Sequence, residues 1–186
     1  MNQSLSTHII TKSPSLYKAF NGYEIFNIYG CGKDAIHEKI VDLWARNRAL
    51  PADVNPEERL KQVVLVALNE DGKAIAVNTV YNSTLREMDL PDTDGAIFHA
   101  YRMFVERGKT VMWLPIAMTC GAFDILEELN HDGRYRGVLI RTDNPKVGQR
   151  SSLEQFARQG WPVYAHDRQG RVIMRRDFGV KKAGVN

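Results

Sequence analysis

The run VVLVALNEDGKAIAVNTVYNSTL, Val63–Leu85, constrains the fold more than any other stretch of the chain. Two β-rich segments flank Asn69-Glu70-Asp71-Gly72, a tight-turn sequence, and so specify a long antiparallel hairpin. A hairpin alone is barely stable in water, so the remaining chain must extend it into a sheet and cover that sheet. The material is sufficient: 186 residues, 44% hydrophobic and 25% charged, are ordinary values for one globular domain.

On either side of the hairpin the pattern alternates between strand and helix. YEIFNIYG (Tyr23–Gly30) alternates apolar residues as a strand does. In KDAIHEKIVDLWARNRAL, residues Ile36, Ile40, Leu43, Trp44 and Leu50 fall on helical spacing, with Asp34 as cap and Pro51 as stop. NPEERLKQ opens a second helix with Asn55 as N-cap, Pro56 in its first turn and Glu58 three residues after the cap. LREMDLPDTDG reads as a loop, and AIFHAYRMFV (Ala96–Val105) as a nearly apolar, central strand. A helix from Leu114 or Pro115 to Leu129 follows, with Ile116, Cys120, Phe123, Leu126 and Leu129 as its buried stripe. GVLIRTDN is a buried strand. SSLEQFARQG is a helix capped by Ser151 or Ser152 and closed by Gly160. WPVYAHDRQGRVIMRRDF is a second hairpin, turning at Asp167–Gly170.

The order β-α-α-β-β-β-α-β-α-β-β predicts one mixed α/β (α+β) domain over residues 23–178. Its central sheet is mixed and largely antiparallel, has helices on both faces, and has its parallel part between Ala96 and Thr142. Residues 1–22 read as an irregular N-terminal arm and residues 179–186 as a basic tail. The net charge of +3 argues against a nucleic-acid-coating protein. Cys31 and Cys120 lie far apart, and no histidine pair has zinc-like spacing, so neither a disulfide framework nor a metal site is expected. The chain has no signal-like segment and no run of 18 apolar residues. The expected location is cytoplasmic, without a membrane partner.

This element order resembles that of the GNAT superfamily, the acyl-CoA-dependent N-acetyltransferases. The two helices after the first strand, the hairpin VVLVALNEDGKAIAVNTVY, the strand YRMFV leading into a basic loop and helix, and LIRTDNPKVGQRSSLEQFARQGW all sit in the family's places. The resemblance covers residues 23–178. It implies acetyl-CoA as acyl donor, an amine acceptor, and direct attack in a ternary complex with no metal. The departure is in the loop ERGKTVMW: counting from Arg107, Thr110 and Met112 stand where the family carries small residues that let the backbone approach a pyrophosphate.

The resemblance also implies roles for particular residues. Phe104 and Val105 would hold the pantetheine arm, which lies between two parting strands. Arg107, Gly108, Lys109, Thr110 and Val111 would hold the pyrophosphate, by charge and by the free N–H groups of a helix start. Asn144 would reach the pantetheine, or else simply form a turn before Pro145. Glu106 is either the base that takes the amine proton or a surface glutamate. Tyr164 is either the acid for the leaving thiolate or a packing tyrosine. His99, Tyr101 and Arg102 could line an acceptor pocket, with Tyr101 and Arg102 the substrate-binding candidates. Arg102 needs an anionic partner in the substrate or a carboxylate such as Asp143. A second reading uses the same fold without ordinary acetyl-CoA chemistry, to modify or bind a nucleic acid or another protein through Arg175, Arg176, Lys181 and Lys182. A homodimer through the C-terminal hairpin is a further expectation.

Overall fold

The computed structural model describes residues 12–108, 113–142 and 144–179. Eight strands form one sheet: β1 Ser15–Phe20, β2 Tyr23–Asn27, β3 Val63–Leu68, β4 Ala74–Ser83, β5 Ile97–Val105, β6 Tyr135–Thr142, β7 Val163–His166 and β8 Val172–Asp177. Their spatial order is β1-β2-β3-β4-β5-β6-β8-β7. Every neighbouring pair is antiparallel except β5 and β6, which the crossover helix α3 (Leu114–Leu129) joins in parallel. Helices α1 (Ala35–Asn47) and α2 (Pro56–Leu60) precede β3, and α4 (Arg150–Arg158) precedes β7. This is the mixed, mostly antiparallel α/β fold expected from the sequence. Among the described residues, no helix is long and apolar enough to cross a membrane.

The turns follow their chemistry. At the β3–β4 turn the Gly72 N–H donates to the Asn69 carbonyl, and the Asn69 side chain accepts from the Lys73 N–H. Helix α1 begins with a capping box: Asp34 Oδ1 accepts from the Ile36 N–H, and the Asp34 N–H donates to His37 Nδ1. Asn55 caps α2, as its sequence indicates.

Three local expectations are corrected. Residues 15–20, within the stretch expected to be an irregular arm, are the edge strand β1, joined to β2 by the turn Asn21-Gly22, both at positive φ. Helix α4 is not capped by a serine. Its N-cap is Gln149, which makes no side-chain cap bond, while the Ser152 hydroxyl donates to the Lys146 carbonyl. The buried side of α3 is wider than a single stripe and shifted from the expected one. It holds Leu114, Met118, Thr119, Gly121, Ala122, Phe123, Ile125 and Leu126, whereas Leu129 is exposed. At Gly121 the cover comes from β1, whose Tyr17 ring lies so close that a Cβ there would collide with it.

The core lies on both faces of the sheet. One cluster packs α3 and α4 on Leu65, Ile75, Val80, Tyr101, Val138 and Met174. Another packs α1 and α2 on Val63, Val66, Leu68 and Val77. A third sets Leu85, Met88 and Leu90 of the β4–β5 connection on Phe98, Leu139 and Ile173, so this loop caps the sheet face that α1 and α2 leave uncovered.

His99 sits in the core on the α3 face, stacked 3.9 Å from the Tyr135 ring, with its buried Nδ1 lacking a hydrogen-bond partner. Burial lowers its pKa to about 4. The unfolded chain therefore binds a proton near pH 6.5 that the folded chain refuses until about pH 4. The stability supplied by neutral His99 is present above pH 6.5 and falls as the pH drops toward 4. Urea unfolding should show a loss on the order of 2–3 kcal/mol across that window. His99→Phe, which keeps the ring stack, should flatten this part of the profile.

Candidate functional site

The site begins where two strands part. Register pairs join β5 to β6 from Ile97 and Tyr135 as far as Tyr101 and Ile140, and there they stop. Yet β5 stays paired to β4 as far as Val105 opposite Ala76, and β6 to β8 as far as Thr142 opposite Val172. Each strand keeps its outer neighbour and loses its inner one, so a gap opens in the middle of the sheet. The Glu106 N–H donates to the Ile75 carbonyl on β4. By alternation, the peptide groups of Met103 and Val105 face the gap. The Phe104 side chain instead turns to the α1 face, where it packs on the core beneath that helix.

A buried polar knot holds the apex. Asn78 of β4 is fully buried. Its Oδ1 accepts from the Leu65 N–H at 2.8 Å, where the β3–β4 register is irregular between Val63 and Val66. Its Nδ2 donates to the Met118 carbonyl of α3 at 3.2 Å and to the Tyr101 hydroxyl at 3.3 Å. The Tyr101 hydroxyl also lies 3.1 Å from Thr119 Oγ1, which donates to the Pro115 carbonyl. One amide thus ties β3, β4, β5 and α3 together at the last paired residue of β5. Burial pushes the Tyr101 phenol above its ordinary pKa, so it remains a protonated hydroxyl.

The gap continues into a cleft of about 1410 Å³ that reaches both faces of the sheet. On the α3 side it is walled by Trp113, Pro115, Ile116 and Thr119, by Phe156 of α4, and by Asn144 and Lys146. On the α1 side it is walled by Trp44, Leu50, Arg59, Tyr81 and Met88. Arg107 and Gly108 stand at the end of β5, both exposed and both lining the cleft. Gly108 has φ +75°, which suits glycine. Trp113, at the start of α3, also has a positive φ (74°), and helix α3 carries no side-chain cap.

The site candidates from the sequence fall into separate groups. Tyr101, Arg102, Phe104, Val105, Arg107, Gly108 and Asn144 all line the cleft. Lys109, Thr110 and Val111 lie outside the described residues. Asn144 accepts from the Lys146 N–H through its side-chain oxygen, and its own N–H donates to Thr142 Oγ1, so it shapes the turn into α4 while facing the cleft. The Glu106 carboxylate is turned to α1. It accepts from Arg46 Nε at 2.7 Å and from Asn47 Nδ2 at 3.1 Å, and Arg46 is also paired with Asp42 at 2.6 Å. Tyr164 lies on the edge strand β7, exposed, with the Arg175 guanidinium 4.9 Å from its ring centre. Asp143 is outside the described residues. Among those described, Arg102 has no carboxylate partner and stacks instead on Tyr81, 4.2 Å from the ring centre.

Among the described residues, Arg175 and Arg176 of β8 do not share one cationic face. Arg175 binds Asp177 through two contacts of 2.6 and 2.7 Å. Arg176 points to the opposite face and lies 3.7 Å over Phe123. Lys181 and Lys182 lie outside the described residues. Met103, Asn78, Thr119, Trp113, Arg59 and Arg141 belong to the site and escaped the sequence reading. Only Arg141 carried a usable signal: a charged residue in an apolar strand, like Arg102.

No family model matches the chain, and no curated protein matches it. Solved structures do resemble it. An acetyltransferase of the GNAT family from Streptococcus pneumoniae has 11% identity and a TM-score of 0.57, covering 84% of this chain and 99% of that one. The ribosomal-protein-S5-alanine acetyltransferase from Vibrio fischeri has 12% identity and a TM-score of 0.57, covering 92% of this chain and all (100%) of that one. The GNAT domain of S. lividans PAT has 14% identity and a TM-score of 0.57, covering 84% and 90%. The protein therefore has the GNAT acetyltransferase fold.

If Asn78 holds the apex, a side chain of similar size without polar atoms will leave the Leu65 N–H and the Met118 carbonyl buried and unpaired. Asn78→Leu should lower the unfolding free energy by about 3 kcal/mol in urea titration. Tyr101→Phe, which deletes one member and strands no backbone group, should cost about 1 kcal/mol.

Proposed function

We propose that the protein transfers an acetyl group from acetyl-CoA to an amine by direct attack across the gap between β5 and β6. The observation that carries this reading is the cleft through the sheet, which presents unpaired strand peptide groups on one wall and opens on both faces. A donor can then enter from the α3 side and an acceptor from the α1 side. Holding the two together removes most of the entropic cost of bringing them into contact.

The fit to an acyl-CoA rests on the open edge of β5. Met103 and Val105 offer N–H and C=O groups spaced as a strand offers them, suited to the successive amides of a pantetheine arm. Asn144 contributes its side-chain amide from the far wall. Arg107, Gly108 and the loop residues Lys109, Thr110 and Val111 take the pyrophosphate, beside the start of α3. Pro115 removes one N–H from that helix end, so the arginine carries a larger share of the phosphate contact than in a glycine-rich cradle.

When bound, acetyl-CoA supplies the thioester. The amine nitrogen forms a bond to its carbonyl carbon, the carbon–sulfur bond breaks, and the proton lost by nitrogen balances the one gained by the thiolate. In this reading the chain acts chiefly by positioning. Glu106 acts through Arg46 and Asn47 as a clamp that fixes the end of β5 against α1, and Tyr164 packs under Arg175.

Calorimetry with acetyl-CoA should give micromolar affinity, and no binding at millimolar donor would overturn the reading. Val105→Pro removes an N–H that faces the gap and no ladder bond to β4, so it should weaken acetyl-CoA several-fold to about tenfold with only a small change in thermal stability.

Glu106→Gln separates clamp from base. As a clamp it should lower stability by about 1 kcal/mol and leave the shape of the pH–rate profile unchanged. A base would instead be exposed by loss of the acidic limb of the profile, with kcat down at least a hundredfold. Tyr164→Phe should change kcat by less than about twofold, whereas an acid role would cost well over tenfold.

A further inference from the structure

Three arginines line the α1 side of the gap. Arg102 and Arg141 are the first residues beyond the last β5–β6 register pair, Tyr101 and Ile140, so they stand at the same level on opposite lips of the opening. Arg141 shares strand parity with Leu139, which packs in the cluster with Phe98 and Met88, and Arg102 stacks on Tyr81; both therefore project to the face away from α3. Arg59 of α2 lines the same end of the cleft. Its guanidinium is held below its ordinary pKa, first by burial and then by the neighbouring charge of Arg102.

Among the described residues, none of these three arginines forms an ion pair with a carboxylate, while Arg46, Arg136, Arg150, Arg171 and Arg175 each do. The one carboxylate lining the cleft among them is Asp53, which is exposed. Arg102 is exposed and Arg59 and Arg141 are half-buried; like charges at such an opening repel one another and are relieved by an anion. The cluster is also separate from the proposed phosphate end. Arg107 lies five residues beyond Arg102, past Val105 at the end of β5, and α3 starts on the opposite face.

We propose that the acceptor is a primary amine that itself carries an anionic group, a carboxylate or a phosphate, which Arg59, Arg102 and Arg141 hold while the nitrogen points into the gap. This rests on the acetyl-transfer reading and names its substrate class. Guanidinium groups bind both anions through paired N–H donors, so the shared chemistry is an oxyanion a few bonds from the nitrogen. The Tyr81 ring fixes the plane of Arg102 before the acceptor arrives, which lowers the cost of ordering it.

The test uses matched amines on the full chain: phosphoethanolamine against ethanolamine, and glycine against glycinamide. Binding is read by calorimetry, and turnover by CoA release from acetyl-CoA. The anionic member of a pair should bind at least about tenfold more tightly and be acetylated with the higher kcat/KM. Preference for phosphoethanolamine or for glycine tells phosphate from carboxylate.

Arg102→Met and Arg59→Met should each remove about tenfold of that preference while leaving the acetyl-CoA Kd within twofold. Equal binding of charged and neutral members overturns the inference, whatever the turnover. So does a loss of acetyl-CoA affinity in the two variants, which would assign the arginines to the donor. Failure of the transfer reading looks different: the anionic amines still bind through the arginines, but acetyl-CoA does not bind.

Discussion

The parting of β5 and β6 is the constraint on which the rest of the site depends. A sheet interior normally pairs every peptide group, and buried groups left unpaired are costly. Here two strands give up their shared ladder after Tyr101 and Ile140 but keep their outer partners, so the sheet does not unravel. The gap holds its shape because its apex is bonded from within. Asn78 fills the irregular stretch of the β3–β4 ladder with its oxygen and reaches Met118 and Tyr101 with its nitrogen. A single buried amide thereby couples the register of the hairpin to the seating of α3. The Glu106–Arg46–Asp42 chain does similar work at the other end of β5, where the strand leaves the sheet.

Once the gap is fixed, the two faces of the sheet can serve different ligands without further machinery. Strand alternation sends Tyr101, Met103 and Val105 toward α3 and sends Arg102 and Phe104 toward α1. The α3 side presents an apolar helix start and open backbone. The α1 side presents guanidinium groups and Tyr81. This asymmetry is written in consecutive residues of one strand, and it makes the cleft a place where two dissimilar molecules can meet.

Elements whose signals are local were legible in the sequence. The β3–β4 and β7–β8 hairpins, the central strand β5, the caps Asp34 and Asn55 and the span of α3 all follow from periodicity and turn chemistry within a dozen residues. Strand β1 went unread: Asn21-Gly22 between SLYKAF and YEIFN is a hairpin signal, but the polar residues before it hid a strand that is exposed along almost its whole length. What could not be read depends on contacts distant in sequence. Nothing near Gly121 indicates that Tyr17 will cover it. Nothing near Arg175 and Arg176 says that one will pair with Asp177 and the other settle on Phe123 rather than form a shared cationic surface. Seven of the cleft residues were named from the sequence because strand ends and loops after a central strand point there in any such sheet. Asn78, Thr119 and Arg59 come from other elements, and only the assembled fold brings them in.

The glycine-poor loop after β5 bears on how a phosphate would be held. The described residues on either side of it, Gly108 and Trp113, both adopt positive φ, and for a tryptophan that backbone is costly, on the order of 1–2 kcal/mol. Surrounding structure must hold Trp113 there, at the mouth of the cleft, where 42% of its surface remains exposed. The helix it precedes has a proline in its first turn, no side-chain cap and no acidic residue in that turn. Such a helix end offers fewer N–H donors than a cradle of small residues, but its positive end is not cancelled by a neighbouring carboxylate. For a phosphate bound as proposed, charge from Arg107 and the helix dipole would replace close backbone approach as the main attraction. A contact of that kind is longer, wetter and more easily screened by salt than an amide cradle. Under that proposal, directionality would come from a pantetheine arm laid along the open edge of β5.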